Sequence, residues 1–306
     1  MTLTELRYIV TLAQERHFGR AAERCFVSQP TLSIAVKKLE SELNVALFER
    51  SKNAVQLTPV GERVVAQAQK VLEEARTIEE LAQAGRDQLH SPLRLGAIYT
   101  IGPYLFPRLV PRIRDFAPRM PLYLEENFTE VLRTKLRHGE LDAIVIALPF
   151  SEPDVLVRPL YDEPFRLLLP ADHPWAELPQ VAPDEIKETR LLMLGEGHCF
   201  RDQVLESCPG VSSQRDGQTL VTEGSSLETI RLMVASGLGA SVVPLSATTH
   251  IPADGPVLVK PFAAPQPKRT LAIAWRASFP RPKAIDVLID SIRLCQVHAT
   301  PGEGAA

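Results

Sequence analysis

Hydrophobic positions in the first sixty residues recur at helical spacing and predict three short helices. The apolar positions are, in order, Leu3, Leu6, Val10 and Ala13, then Phe18, Ala22 and Cys25, then Leu32, Val36, Leu39 and Leu43. A tight turn at residues 26–27 precedes the third helix, for which Ser28 is a good N-cap and Pro30 fits the first turn. A helix, a short turn and a second helix with a polar outer face predict a helix-turn-helix.

Candidate DNA contacts lie on the polar face of the third helix and on the segment that follows it. Residues 47–57 are predicted to form a small hairpin, or wing, around a Ser-Lys-Asn turn. The side chains expected to reach base edges or phosphate are Gln29, Pro30, Thr31, Ser33, Lys37, Arg50 and Lys52. Arg50 suits a backbone phosphate better than a base. The alternative is that the polar face of the third helix is merely solvated. The turn, the wing and the long helix follow one another in the order expected of a DNA-binding unit, which disfavours this alternative.

Residues 59–90 predict a long helix that pairs with a second chain. Thr58 followed by Pro59 is a typical helix start. Apolar and small residues then recur along it at separations that alternate between four and three residues. These positions are Val64, Ala68, Val71, Ala75, Ile78, Ala82, Gly85 and Leu89. Such a heptad seam is typical of a coiled coil, and its small residues indicate close helix approach. The alternative is that this helix packs against the C-terminal part of its own chain.

From Pro92 onward, strands and helices alternate and predict an α/β region. Strands are expected at 93–98, 121–126, 142–148, 191–194, 240–243 and 271–275, and helices at 103–116, 129–137, 226–236 and 282–297. This alternation is typical of a parallel sheet with helices on its faces. Because about 210 residues is large for one unit, two lobes with a cleft between them are expected. The predicted domains are therefore 1–58 for DNA binding, 59–90 as linker and 91–298 for regulation, with a disordered tail at 299–306.

Composition adds little, except in how charge is distributed. The chain is 45% hydrophobic and 23% charged, as an ordinary soluble globular protein is. The net charge is −3, but residues 1–60 carry eight Lys or Arg against six Asp or Glu, so they contribute +2 and the remainder −5. The start lacks a signal-peptide pattern and no run is apolar enough to span a membrane. A cytoplasmic protein without a membrane partner is expected, with its cysteines reduced by default.

Cys199 and Cys208 are the residues most indicative of chemistry. His198, Arg201 and a helix N-terminus expected at this point would each lower the pKa of the Cys199 thiol. Cys208 could trap an oxidised Cys199 as a disulfide, which describes a reversible oxidation switch. If a continuous helix joined the two, their Cα atoms would be about 13 Å apart, whereas a disulfide needs less than about 7 Å. Oxidation would then have to refold the segment.

Other candidates have weaker signals. Thr100 and Thr129 follow predicted strands and would lie where α/β folds bind ligands, although each could simply cap a helix. Asp202 could orient the cysteine segment or accept a proton from His198, or be a solvated charge. Cys25 and Cys295 are expected to be core thiols. His198 and the two central cysteines lack a fourth ligand and the close cysteine pairing of zinc sites, so no metal or cofactor is expected.

Several motifs identify a resemblance to a known family. The segments 18–23 (Phe-Gly-Arg-Ala-Ala-Glu), 28–33 (Ser-Gln-Pro-Thr-Leu-Ser), 47–50 (Leu-Phe-Glu-Arg) and 57–61 (Leu-Thr-Pro-Val-Gly) resemble the N-terminal signature of LysR-type transcriptional regulators. The segments 195–203, 97–104 and 125–129, with Cys208, resemble the members of that family that respond to hydrogen peroxide.

The resemblance implies a fold, partners and an oxidant. The regulatory region would be a two-lobed, periplasmic-binding-protein-like α/β fold, with lobe I at 91–162 and 268–298 and lobe II at 163–267. The protein would be a homodimer through the linker helix, assembled into a homotetramer on double-stranded promoter DNA. It would activate antioxidant genes through RNA polymerase, with hydrogen peroxide oxidising Cys199 to a sulfenic acid that Cys208 resolves.

Two alternatives remain at this point. One is a LysR-type regulator that binds a small metabolite in the cleft between the lobes, with incidental cysteines. The other is a thiol peroxidase carrying an unrelated helical segment. The enzyme has little support, because a sensor needs one oxidation per signal and nothing in the sequence indicates a dedicated reductant site.

Overall fold

The computed structural model describes residues 1–50, 55–84, 88–208, 222–252 and 254–295. The chain divides into two units, Met1–Arg86 and Asp87–Ala306, each with its own hydrophobic core. None of the helices in the described ranges is both long enough and apolar enough to cross a membrane.

The first unit is a winged helix-turn-helix followed by a long helix. Its elements are α1 (Leu3–Glu15), α2 (Phe18–Arg24), α3 (Gln29–Leu43), β1 (Phe48–Arg50), β2 (Val55–Leu57) and α4 (Pro59–Ala84). Ser28 caps α3 by accepting a hydrogen bond from the Thr31 backbone N–H. The strands β1 and β2 pair antiparallel, so the three predicted helices and the wing are confirmed. Lys52 and the rest of the wing turn lie outside the described residues.

The long helix α4 starts as predicted but ends earlier than residue 90. The Thr58 hydroxyl accepts a hydrogen bond from the Gly61 N–H at 2.8 Å, which caps the helix. A Cβ at Gly61 would lie 2.1 Å from the Leu47 carbonyl oxygen, so only glycine allows this approach. Ala68, at the start of the predicted seam, is buried in the core of its own unit, whereas Ile78 further along is exposed. Gly85 falls outside the described residues.

The second unit contains nine strands and five α-helices within the described ranges. The strands are β3 (Leu93–Ile98), β4 (Leu122–Asn127), β5 (Ala143–Ala147), β6 (Val155–Pro170), β7 (Leu192–Leu194), β8 (Thr222–Gly224), β9 (Ser241–Pro244), β10 (Val257–Pro261) and β11 (Lys268–Arg276). The helices are α5 (Gly102–Phe116), α6 (Thr129–Arg137), α7 (Cys199–Ser207), α8 (Leu227–Ala235) and α9 (Pro282–Leu294), with 3₁₀ turns at Pro183–Glu188 and Leu245–Thr248.

The main sheet is mixed, so the prediction of a parallel sheet is correct for only part of it. Its order is β10-β6-β11-β5-β3-β4, with β9 also paired to β6. Only β3, β4 and β5 are mutually parallel; β11 runs antiparallel to β5 and β6, and β9 and β10 run antiparallel to β6. A separate parallel pair joins β7 and β8. The antiparallel part is centred on β6, the long strand that contributes to both lobes and pairs with β9, β10 and β11.

Two cores confirm the two-lobed α/β architecture. The core of lobe I is built from β3, β5, β11, α5 and α9, and that of lobe II from β6, β7, α7, α8 and β9. The strand β6 contributes to both, since Val157 packs on the first core and Phe165 lies in the second. The change of lobe along β6 therefore falls between Val157 and Phe165, and the exact boundary at 162 stays a prediction. The predicted end of the last helix at 297 and the tail 299–306 lie outside the described residues.

Candidate functional site

Cys199 is the first residue of α7 and is half-buried. The N–H groups of the first helical turn give this position partial positive charge. The thiol packs against the core of lobe I, while Phe200 and Val204 anchor the same helix in the core of lobe II. Cys199 therefore lies at the junction of the two lobes.

A small cavity opens beside the Cys199 thiol. Its lining residues are Ile98, Tyr99, Thr100, Asn127, Phe128, Thr129, Gly197, His198 and Cys199. Its volume of about 10 Å³ is close to the smallest that holds a single water molecule, about 10–15 Å³. The cavity lies at the carboxyl ends of the parallel strands β3 and β4, where ligands bind in α/β folds.

The two predicted threonines meet at this cavity, and neither caps a helix. The N-caps of α5 and α6 are Ile101 and Phe128. Thr100 is 2% exposed, and its Oγ1 accepts a hydrogen bond from Arg269 Nη1 at 2.7 Å. Its own hydroxyl hydrogen remains available to donate. The buried Thr129 Oγ1 has no hydrogen-bond partner among the described residues.

A buried ion pair behind the cavity was missed by sequence reasoning. Arg269 Nε donates to Glu163 Oε2 at 2.8 Å, and both side chains are fully buried. Arg269 Nη2 also donates to the Thr100 carbonyl oxygen at 3.1 Å, and the guanidinium lies 5.2 Å from the centre of the Phe200 ring. The Ser246 N–H donates to the other Glu163 oxygen at 2.8 Å. The pair thus fixes Thr100 and ties both lobes together.

His198 and Arg201 were expected to act as positively charged neighbours of Cys199, but the structure gives both side chains other surroundings. His198 is buried, and this desolvation lowers its pKa, with a hydrogen bond to the Ser225 backbone opposing the shift. At neutral pH its uncharged form is therefore favoured. Arg201 donates to the Leu194 carbonyl oxygen at 3.1 Å and pairs with Glu223. The positive charge of Arg201 is therefore paired within lobe II.

Asp202 is exposed in the first turn of α7. Within the part of the chain that the structure describes, no hydrogen bond or ion pair joins it to His198. This position matches that of a solvated charge near the helix N-terminus, where a carboxylate is stabilised by the helix dipole. A role for Asp202 in orienting the cysteine segment stays a prediction.

Cys208 lies at the opposite end of α7 and is fully buried in the core of lobe II. Both cysteines are free thiols, as are Cys25 and Cys295. Burial, with a smaller contribution from Asp184, raises the pKa of Cys208 to about 11. Nine steps along a helix separate the two Cα atoms by about 13 Å. Cys208 is thus protonated, enclosed and out of reach of Cys199 while α7 is intact.

The raised pKa of Cys208 predicts a loss of stability at alkaline pH. Below its ordinary value of 9.0 the thiol is protonated in both folded and unfolded chains. As pH rises from 9.0 towards 11, only the unfolded thiol ionises, so the free energy of unfolding falls. We expect the stability difference between wild type and Cys208→Ala to narrow by about 1 kcal/mol between pH 8 and pH 10, measured by urea unfolding with reductant. Parallel pH curves for the two proteins would contradict it.

Five of the seven candidate DNA contacts lie on α3. Gln29, Pro30, Thr31 and Lys37 are exposed on α3, and Ser33 is half-buried there. Arg50 ends β1, but its side chain is outside the described part of the structure, as is all of Lys52. These placements bring five of the seven predicted residues together on one helix; their contacts with DNA stay predictions.

The remaining cysteines occupy packing positions. Cys25 is half-buried at the end of α2 and packs on the core of the first unit. Cys295 is buried, and its thiol donates to the Ser291 carbonyl oxygen at 3.1 Å. Among the described residues, no group of three or more His, Cys, Asp or Glu side chains is arranged to hold a metal ion.

Comparisons with known proteins agree along the whole chain. Residues 3–62 match the model of bacterial regulatory helix-turn-helix proteins of the lysR family, and residues 86–294 match the LysR substrate binding domain. The chain is 39% identical to a hydrogen peroxide-inducible genes activator from Dickeya chrysanthemi, over 96% of this chain and 95% of the relative.

Two solved structures are also similar. A full-length OxyR variant from Pseudomonas aeruginosa is 67% identical with a TM-score of 0.79, covering 98% of this chain and 100% of that one. A peroxide-bound OxyR mutant from Corynebacterium glutamicum is 32% identical with a TM-score of 0.65, covering 96% and 92%. The resemblance of the motifs is thereby confirmed, and the chain belongs to the LysR family of bacterial helix-turn-helix transcriptional regulators.

Proposed function

We propose that this LysR-family protein is a cytoplasmic, peroxide-sensing regulator of antioxidant genes, switched by a reversible Cys199–Cys208 disulfide. One observation carries the proposal: Cys199 borders a water-sized cavity with an unpartnered buried hydroxyl, while Cys208 is enclosed at the far end of the same helix. The similarity to peroxide-inducible activators and to a peroxide-bound OxyR structure supports the same reading.

The first step is oxidation of Cys199. Hydrogen peroxide enters the cavity and meets the hydroxyls of Thr100 and Thr129. The Cys199 thiolate attacks one peroxide oxygen, the O–O bond breaks, and the other oxygen leaves as hydroxide. The hydroxide takes up a proton and departs as water, leaving a sulfenic acid. Arg269 contributes by fixing the Thr100 hydroxyl so that its hydrogen is free to stabilise the departing oxygen.

The second step converts this chemistry into a change of shape. Helix α7 unwinds, Cys208 leaves the lobe II core and loses its proton, and its sulfur attacks the Cys199 sulfur. Water leaves and a disulfide forms, which a dithiol reductant can later reverse. On the chain-entropy model the closed loop constrains the segment by about 3 kcal/mol. That is comparable with the few kcal/mol that separate alternative packings of a switch segment.

The output of the switch is DNA binding. The exposed face of α3 supports binding of double-stranded promoter DNA, and the exposed apolar residues of α4 support pairing with a second chain. We infer a homodimer through α4 and a homotetramer that contacts RNA polymerase in its activating form. The small cavity beside Cys199 suits a small oxidant better than a metabolite. Signalling requires one oxidation per response and no catalytic turnover.

The test combines mass and DNA occupancy. Reduced full-length protein is treated with stoichiometric hydrogen peroxide, and intact mass, peptide mapping and a promoter footprint are measured. We expect the loss of two hydrogen atoms, a peptide linked through residues 199 and 208, and an altered footprint. Unchanged mass and footprint would overturn the proposal. Rapid turnover of peroxide without DNA binding would indicate a thiol peroxidase instead.

A further inference from the structure

Three aromatic rings cluster around the cavity beside Cys199. The Phe128 ring centre lies 5.2 Å from that of Tyr99 and 4.8 Å from that of His198. Tyr99 and His198 are themselves 5.9 Å apart. We call these three side chains the aromatic rim. Edge-to-face contacts of this kind stabilise ring positions by about 0.5–1.5 kcal/mol each, so the rim resists opening.

Tyr99 of the rim lies on the solvent side of the cavity, whereas His198 is buried. Tyr99 is 37% exposed and Gly197 is exposed, whereas Thr100 on the opposite side is buried. Gly197 has a φ of +90°, and a Cβ there would lie 3.3 Å from the Phe128 ring. Glycine therefore lets the backbone rest directly on Phe128, which closes the cavity further.

We propose that Tyr99 and Phe128 form a size filter that admits hydrogen peroxide to Cys199 and excludes alkyl hydroperoxides. The inference rests on the proposed function, because it names the class of oxidant that the same thiol accepts. Hydrogen peroxide has two heavy atoms, whereas tert-butyl hydroperoxide has six. The cavity, at about 10 Å³ and lined by both rings, can take hydrogen peroxide with only small displacements of its walls, whereas the four carbon atoms of a tert-butyl group require Tyr99 and Phe128 to move.

The size of the entrance, and not the chemical reactivity of the oxidant, must determine which hydroperoxide reaches Cys199. With an alkyl hydroperoxide the thiolate attacks the terminal oxygen, the O–O bond breaks and the alkoxide leaves. The alkoxide takes up a proton to become an alcohol, and the same sulfenic acid forms. Because both oxidants follow the same chemistry, a preference of the protein for the smaller one reports the shape of the entrance.

The experiment compares the two oxidants on full-length protein. Rates of Cys199 oxidation by hydrogen peroxide and by tert-butyl hydroperoxide are measured by rapid quench and mass spectrometry, and their ratio is the readout. We expect Tyr99→Ala and Phe128→Ala to lower that ratio by about tenfold or more, the usual scale of steric discrimination in apolar pockets. Tyr99→Phe, which keeps the ring, should retain the wild-type ratio. Tyr123→Ala, an exposed tyrosine on β4 that does not line the cavity, should retain it too.

Each result decides the question. A lower ratio in both alanine variants, with thermal melting showing folded protein, supports the filter. Equal rates for the two oxidants in wild type, or an unchanged ratio in both alanine variants, overturns it while leaving peroxide sensing intact. A wild-type protein that neither oxidant modifies at Cys199 overturns both the filter and the proposed function. A loss of selectivity in Tyr123→Ala as well would show that the effect is not specific to the rim, and this too would overturn the filter.

Discussion

The Cys199→Ser protein is expected to lose the peroxide response completely, keeping its reduced footprint at peroxide concentrations that convert all of the wild type. A serine hydroxyl has no thiolate to attack the O–O bond, and no other described thiol borders the cavity beside α7. The measurement is a promoter footprint paired with intact mass before and after hydrogen peroxide.

Two matched variants identify which step fails. Cys208→Ser keeps the first thiol, so with stoichiometric hydrogen peroxide we expect it to gain one oxygen atom as a sulfenic acid without forming a disulfide or changing its footprint. Cys295→Ala removes another buried thiol, one that lies far along the chain in α9's terminal turn, and should respond like wild type. A Cys199→Ser protein that still changed its footprint would place the sensor at another residue.

The second large effect is on stability. Arg269→Met is expected to lower the free energy of unfolding of the regulatory unit by about 3–5 kcal/mol, because it leaves the Glu163 carboxylate buried and uncompensated. The measurement is urea unfolding of the reduced protein at pH 7. The variant also removes the donor that fixes Thr100, so its Cys199 oxidation should be slower.

The neighbouring residue provides a matched control. Lys268 pairs with Asp162 one position along the same two strands, but both side chains are largely exposed. Lys268→Met should therefore cost at most about 1 kcal/mol. The double variant Arg269→Met/Glu163→Gln, which removes both charges and keeps the acceptor for Ser246, should recover much of the lost stability. Equal effects of Arg269→Met and Lys268→Met would show that the buried pair does not hold the lobes.

The sequence was enough to place the threonines of the site. Thr100 and Thr129 each follow a strand whose apolar run is easily recognised, and the carboxyl ends of neighbouring parallel strands lie side by side. The helix-turn-helix could also be predicted from the sequence, because Ser28, Pro30 and the apolar stripe of α3 are all local signals.

Long-range features could not be obtained in this way. Strand β6 carries polar residues such as Arg158 and Glu163 among its apolar ones, so it lacks a clear strand pattern and the antiparallel half of the sheet was missed. The Arg269–Glu163 pair joins residues 106 positions apart, which no local spacing reveals. An arginine beside the apolar run of β11 was the available signal, since a charge there needs a buried partner. The neutral form of His198 depends on burial, which the sequence does not report.

Cys199 packs against the core of lobe I and Cys208 lies in the core of lobe II, and this separation limits the range of peroxide concentrations over which the response can rise. After the first oxidation, the sulfenic acid waits until α7 opens and releases Cys208 from lobe II. During that wait a second peroxide molecule can carry Cys199 on to a sulfinic acid, which no thiol reverses. Helix opening therefore competes with overoxidation, so the response rises with peroxide only up to the concentration at which the second encounter becomes the faster event.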